Sequence, residues 1–476
     1  MSWQIDKKAY ESRLNQAILY TEAGKVTKSL GLLYEAYLPG ASIGSICTIL
    51  SSGDPHSDKG VEAEVVGFRD KRILLMPFED PIGINNDSLV ILKKRASSIA
   101  VGSFLLGRVL DGSGKPIDGK GPLAQDSVPF EERSLYQRPS HPLDREMVEE
   151  PLDLGIRSIN GLLTCGKGQR VGIMAGSGVG KSVLLGMMAR YTSADVNVIA
   201  LVGERGREVR EFVERDLGPE GLKRSVLVVS TSDKSPLLRM RCAFLATTIA
   251  EYFRDQGKDV LLLMDSTTRF CMAQREIGLA MGEPPASKGY TPSVFSTLPK
   301  LLERAGMAAE KGSITGLYSV LVEGDDMDDP IADAMRSILD GHIVLSRKIA
   351  EQNNFPAIDV LQSASRVMRS VISPEHLGWA EQIRSWIATY RQAEDLINIG
   401  AYIRGSNPRI DQSIAVYEKI QEFLKQRIEE PASMSETLAK MHSIFRYGEA
   451  FLSSQQASRS SQQQPTQSSE VSRIRF

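Results

Sequence analysis

The chain has 476 residues, a formal net charge of −2, 42% hydrophobic and 24% charged residues, a composition that belongs to a globular protein long enough for two or three domains. The balance of 57 basic against 59 acidic residues lacks the excess of a dedicated nucleic-acid binder, so no nucleic-acid partner is expected. Cys47, Cys165, Cys242 and Cys271 lack paired spacing and the five histidines lack metal-ligand spacing, which argues against a disulfide framework or a zinc site and suits a reducing cytosol.

The first residues, Met-Ser-Trp-Gln-Ile-Asp-Lys-Lys, carry no apolar segment of signal-peptide form, and no uncharged apolar run reaches about 18 residues. A cytoplasmic protein is expected, with any membrane contact peripheral. Residues 1–24 place Trp3, Ile5, Tyr10, Leu14 and Ile18 at roughly helical spacing among charges, which predicts an amphipathic helix. Residues 25–98 hold short alternating runs, such as those at 61–66 and 72–76, punctuated by Gly, Pro, Asp and Asn. That spacing predicts a small β-barrel.

Residues 99–378 alternate apolar strand-like runs with helical stretches, the pattern of a parallel α/β sheet. Within them, residues 175–182 spell Ala-Gly-Ser-Gly-Val-Gly-Lys-Ser between an apolar run and a helix-like stretch. A phosphate loop needs this layout, because a strand must deliver a glycine-rich turn to a helix N-terminus whose free amides point at an anion. Ala175 stands where the pattern has its first glycine. Ala175, Gly176, Ser177, Gly178, Val179, Gly180, Lys181 and Ser182 are therefore the candidate nucleotide-binding residues, Lys181 reaching the β and γ phosphates and Ser182 holding Mg²⁺.

Two further buried strands end in carboxylates. Residues 196–203 stop at Glu204, with Arg205 beside it as a further catalytic candidate, and residues 260–264 stop at Asp265. Ligands of open parallel sheets sit beyond the carboxyl ends of the strands, which puts both acids on the edge that carries the phosphate loop. Asp265 is the candidate carboxylate of the outer Mg²⁺ shell and Glu204 the group that orients the attacking water. Taken singly, each acid is more often a solvated loop residue or helix cap. Ser235-Pro236 and Asp329-Pro330 mark helix starts, an N-cap with proline at the first helical position.

Residues 379–452 are helical in pattern, with Trp386, Ile387, Tyr390, Ile414, Tyr417, Ile420, Phe423 and Leu424 at helical spacing. Residues 453–476 are rich in Ser and Gln with little to bury, and disorder is expected there.

The order and wording of these segments resemble the hexameric ATPases that include the rotary ATP synthase catalytic subunits and the export ATPases of type III secretion. The matching stretches are Leu-Gly-Arg-Val-Leu-Asp at 106–111, the phosphate loop, Gly-Glu-Arg at 203–205, Leu-Leu-Met-Asp at 262–265 and Ser-Ala-Ser-Arg at 363–366. Within the family, the run from the phosphate loop to Arg190 and Gly-Glu-Arg-Gly-Arg-Glu-Val-Arg-Glu-Phe at 203–212 are most similar to the flagellum-specific export ATPases.

The resemblance implies a RecA-like phosphate-loop NTPase core with an N-terminal β-barrel and a C-terminal helical domain. It implies ATP hydrolysis with Mg²⁺, in a homo-oligomer that is a hexamer in the family. It makes Arg366 an arginine finger reaching the neighbouring subunit's site and Phe355 an aromatic against the adenine ring. Its implied partners are a regulatory protein at the N-terminal helix, a coiled-coil stalk protein, an export gate and chaperone-bound substrates. The dense acidic loop of the ATP synthase catalytic subunits is replaced here by Gly-Ala-Tyr-Ile-Arg-Gly-Ser-Asn-Pro at 400–408. Protein export, of flagellar components first, is the expected function. A virulence-type secretion ATPase would share every catalytic residue, a rotary synthase subunit lacks support from 400–408, and a nucleic-acid translocase or a non-catalytic scaffold is disfavoured by the neutral charge and by Glu204.

Overall fold

A computed structural model describes residues 22–50, 60–123, 129–308, 312–322, 324, 326 and 328–462. The predicted N-terminal helix lies outside these residues except at its end, where Ala23 and Gly24 already belong to a strand. Six strands follow in chain order: β1 (Ala23–Leu30), β2 (Leu33–Tyr37), β3 (Ile46–Leu50), β4 (Gly60–Arg69), β5 (Arg72–Pro77) and β6 (Leu89–Lys94). They pair in the order β1-β2-β5-β4-β3-β6, and β1 meets β6 to close a barrel. Its interior is filled by Val26, Leu38, Cys47, Ile49, Val65, Leu75 and Val90, and closure leaves no sheet edge unpaired.

The barrel is clamped to the core by a buried charge pair. Glu64 on β4 is 3% exposed and accepts from the Tyr136 hydroxyl at 2.7 Å, while its second oxygen pairs with Arg241. Arg241 also donates to the Ser97 hydroxyl and lies over the Phe78 ring, 4.8 Å from its centre. Arg241→Leu would leave a buried carboxylate without its cation, a loss of about 3–5 kcal/mol. Urea unfolding of the full chain checks this, and a loss below about 1 kcal/mol would mean that apolar contact alone holds the barrel.

The core is a sheet of nine strands among the described residues. In chain order its main strands are β7 (Val109–Asp111), β8 (Arg170–Ala175), β9 (Val196–Val202), β10 (Ser225–Ser230), β11 (Asp259–Asp265), β12 (Ser313–Leu321), β13 (Gly341–Leu345) and β14 (Ala364–Ser365). Their order across the sheet is β14-β13-β8-β12-β11-β9-β10-β7, parallel except where β14 turns back on β13, with the short strand Gly306–Met307 beside β12. All seven residues of β9 are buried, as expected for a parallel strand covered on both faces. The registers Ala175↔Leu321, Ala175↔Leu345 and Leu201↔Asp265 align the strand ends on one edge.

The helices of the core include α1 (Arg157–Leu162), α2 (Lys181–Tyr191), α3 (Gly206–Glu211), α4 (Pro236–Asp255) and α5 (Pro330–Ile338). The starts expected at Ser235 and Asp329 are present, each side chain accepting from the first-turn amides. Three C-terminal helices follow among the described residues: α6 (Pro374–Asn398), α7 (Pro408–Leu424) and α8 (Met434–Gln462).

Two boundaries differ from the sequence expectation. The helical region expected from residue 379 starts at Pro374, where Ser373 caps α6 with the same Ser-Pro signature as α4. The Ser/Gln-rich stretch expected to be disordered from 453 is helical to Gln462. Once a helix is nucleated by packing, each added residue contributes a hydrogen bond at little cost, and neither Gly nor Pro falls between residue 453 and Pro465. Residues 463–476 lie outside the described chain.

Candidate functional site

The phosphate loop lies where β8 ends and α2 begins. Val179 is buried in the apolar cluster that also holds Leu184, Leu185 and Ile173, which anchors the loop to the core, while Ser177, Gly178 and Ser182 face solvent. Gly178 and Gly180 have φ of 79° and 88°, a left-handed backbone that favours glycine. A Cβ at Gly178 would meet nothing within 4 Å, so conformation, with the open concavity it gives the amides, accounts for the glycine. Ala175 is 1% exposed and pairs in the sheet, so its methyl group packs in the core rather than obstructing the loop.

Lys181, Glu204 and Asp265 meet at this edge. The Lys181 ammonium pairs with Asp265 and lies 4.0 Å from Glu204 Oε1. Burial opposes the ammonium, but Asp265 and Glu204 outweigh it and hold its pKa above the ordinary lysine value. The Asp265 side chain is 4% exposed and accepts from the Ser319 hydroxyl at 2.6 Å. Glu204 has a 19% exposed side chain, and its pKa is pushed up to about 8 by burial first, then by Asp265 and by its hydrogen bond with Glu208. The same bond holds Glu208 below its ordinary value.

Glycine at 203 is required to present Glu204. Its φ is 73°, and a Cβ there would lie 2.9 Å from Arg269 Cβ. Beyond it, the Glu204 carbonyl accepts from Ser232 N–H at 3.1 Å, which ties the acid's backbone to the turn that follows β10. Arg205 is placed differently: it caps α3, pairs with Glu208 at 3.0 Å and has a 78% exposed side chain.

Phe355 is 41% exposed, and its ring stands over the phosphate loop, where a Cβ on Gly180 would lie 3.5 Å from two ring carbons. Arg366 is not brought to this site. Its N–H donates to Asp340 O and its guanidinium to Arg336 O at 3.1 Å, at the start of β13, whereas the phosphate loop adjoins the end of β13. Sequence reasoning missed Glu208 and Ser319. Glu208 stands inside the motif that flagged Glu204, and Ser319 is a polar residue on the buried strand β12, where a hydroxyl needs a partner.

The donor set suits a magnesium nucleotide. No group of three or more His, Cys, Asp or Glu gathers as a metal site among the described residues, whereas Mg²⁺ with a nucleotide takes one or two protein oxygens and completes its shell with phosphates and water. The Ser182 hydroxyl and Asp265 can supply those oxygens, and Lys181 already holds an acid oxygen where phosphate oxygens would bind.

Comparison with known proteins agrees with this geometry. Residues 155–365 match the ATP synthase alpha/beta family, nucleotide-binding domain, and residues 372–443 match the T3SS EscN ATPase C-terminal domain. The chain is 53% identical to the flagellum-specific ATP synthase of Bacillus subtilis over 89% of its own length and 95% of that protein. It is 49% identical to the type 3 secretion system ATPase of Sinorhizobium fredii over 88% of its own length and 91% of that one. The assembled ATPase EscN from enteropathogenic E. coli superimposes with a TM-score of 0.82 at 49% identity, covering 88% of this chain and 99% of EscN. A second EscN structure, in complex with its central stalk EscO, covers 88% of this chain and 99% of its own, with a TM-score of 0.81 and 48% identity. The chain therefore belongs to the ATP synthase alpha/beta family, in the branch of flagellum-specific ATP synthases and type 3 secretion system ATPases, and is an ATPase.

Proposed function

We propose that this ATPase is the catalytic subunit of a homo-oligomeric ring, hexameric as in the family, that energises type III export of flagellar components from the cytoplasmic face of the membrane. The observation that carries the catalytic part is the meeting of Lys181, Glu204 and Asp265 beside the phosphate loop. Lys181 and the loop amides hold the β and γ phosphates, Ser182 and Asp265 hold Mg²⁺, and Glu204 orients the water. Bound Mg²⁺ would neutralise negative charge on the phosphates. Positioning and charge stabilisation supply nearly all of the catalysis, since phosphoryl transfer leaves little covalent work for the protein.

Export rather than ATP synthesis is supported by the C-terminal match at residues 372–443 and by the chain between α6 and α7. There the Tyr402 hydroxyl donates to Asn407 O at 3.0 Å and to Asp411 at 3.1 Å, and Gly405 N–H donates to Asp411 at 2.9 Å. This braced turn leaves Ile399 and Ile403 exposed, a surface for the coiled-coil stalk, the export gate or chaperone-bound cargo. The N-terminal residues 1–24 would carry the regulatory partner, and binding that survives deletion of residues 1–20 would count against that part. An Ile403→Asp change is expected to abolish export in a strain relying on this chain while ATP hydrolysis stays within about twofold, as for an exposed substitution. Motility and secretion assays beside steady-state ATPase rates check this, and wild-type export would remove the turn from the export route.

A further inference from the structure

The joint between the ATPase core and the C-terminal helices includes a polar strap. Residues 425–433 connect α7 to α8 without regular structure, and α1 grips them from below. Arg157, buried at the first position of α1, donates its backbone N–H to Gln426 Oε1 and its Nε to Phe423 O, both at 2.9 Å. Its two terminal nitrogens bond Lys425 O and the Glu430 carboxylate. Gln426, also buried, returns its side-chain amide to Gly155 O and to Glu430 O, each at 2.7 Å.

The strap leads back to the nucleotide site on two sides. The backbone N–H of Gln426 donates to Phe355 O at 2.9 Å, and Phe355 is the ring that stands over Gly180. On the other flank, Ile428 O accepts from the Tyr191 hydroxyl at 2.9 Å and from Arg190 at 3.2 Å, in the last turn of the phosphate-loop helix α2. The strap itself, Lys-Gln-Arg-Ile-Glu-Glu-Pro-Ala-Ser, offers little apolar surface to bury, so hydrogen bonds rather than packing decide where it lies. A guanidinium suits that task, because its planar fork satisfies several acceptors in one fixed geometry where an ammonium cannot.

We propose that Arg157 is a positioning residue for the base-binding half of the nucleotide site: its fork fixes the strap, the strap fixes Gln426 N–H, and that amide fixes Phe355 over the phosphate loop. The inference rests on the reading of Phe355 as the adenine contact. It assigns Arg157, buried beneath the strap, a part in ATP affinity, and it gives the C-terminal helices a direct mechanical path to the base.

The test compares Arg157→Gln, Phe355→Ala and the double variant in the full chain, measuring kcat, KM for ATP and the inhibition constant of inorganic tripolyphosphate, which has no base. Each single change is expected to raise KM for ATP by about tenfold, the scale of one lost base–aromatic contact. The double variant should go no further, while kcat and the tripolyphosphate constant stay within about twofold of wild type. Arg157→Lys, which keeps the charge and loses the fork, should raise KM by about threefold and serves alone if Arg157→Gln does not fold. A raised KM in Phe355→Ala beside wild-type KM in the Arg157 variants overturns the inference and leaves the adenine contact standing. Unchanged KM in Phe355→Ala removes the adenine contact itself. Equal weakening of ATP and tripolyphosphate by the Arg157 variants also overturns the inference, since the strap would then shape the phosphate loop rather than the base pocket.

Discussion

Arg366→Ala should lower ATP hydrolysis by about 10³-fold or more, the range for arginine fingers in NTPases, while nucleotide binding stays within a few-fold of wild type. The fold keeps Arg366 away from its own subunit's phosphate loop. Arg366 lies beside Asp340 at the start of β13, and Leu345 at the end of β13 pairs with Ala175 at the phosphate loop. The strand between them spans about 13 Å at the usual rise per residue, and the Arg366 guanidinium is held at its own end by Arg336 O. Within one subunit it therefore stands apart from the phosphate loop.

A mixing experiment separates a finger supplied by a neighbour from a structural arginine. Lys181→Ala lacks the phosphate-binding ammonium and Arg366→Ala lacks the finger, so rings made of either alone should be inactive. In mixed rings some interfaces join an intact loop to an intact finger, and activity should recover to a measurable fraction of wild type. Wild-type activity in Arg366→Ala would withdraw the finger, and no recovery on mixing would confine both residues to one subunit's function.

Glu204→Gln should keep ATP binding and lower kcat by about 10²- to 10⁴-fold, the range for a positioned base. Glu204 lies close enough to Lys181 to act on the same phosphate group. Because burial and Asp265 push its pKa up to about 8, kcat/KM for ATP should rise with pH through a midpoint well above that of an ordinary carboxylate. That limb should vanish in the variant. A rise centred near pH 4 would show that Glu204 is not the group that titrates.

The same shift has a stability consequence. A carboxyl whose folded pKa is raised stabilises the fold fully below its unfolded pKa, and that contribution is lost as pH rises through the folded value. For Glu204 the window runs from the ordinary carboxyl value of 4.5 to about 8. The nucleotide-free Glu204→Gln chain should therefore gain stability relative to wild type between pH 5 and pH 8, on the order of 2 kcal/mol after discounting for partial exposure and for Lys181. Unfolding midpoints at the two pH values measure it, and an equal difference at both would mean that the carboxyl titrates alike in the folded and unfolded chains.

Local chemistry made much of this legible beforehand. The phosphate loop could be found because glycines at left-handed positions, a lysine and a hydroxyl stand at fixed spacing between a strand and a helix. Glu204 and Asp265 followed because buried parallel strands are continuous apolar runs, and what interrupts the apolar run at the end faces the ligand edge. The caps at Ser235 and Asp329 are likewise contacts within three residues.

What the sequence could not supply is contact between distant segments. Ser319 reaches Asp265, Arg241 in the core pairs with Glu64 in the barrel, and Arg157 grips a strap more than 260 residues later. The pKa of Glu204 is likewise a tertiary property, since it depends on burial and on an acid from another strand. The sequence by itself determined which chemistry is present and on which strand ends it stands, because those signals depend on neighbouring residues. Only the tertiary structure decided which groups share charge, which end of the sheet holds Arg366, and how the three domains grip one another, because side chains far apart in the chain interact only after the backbone has brought them together.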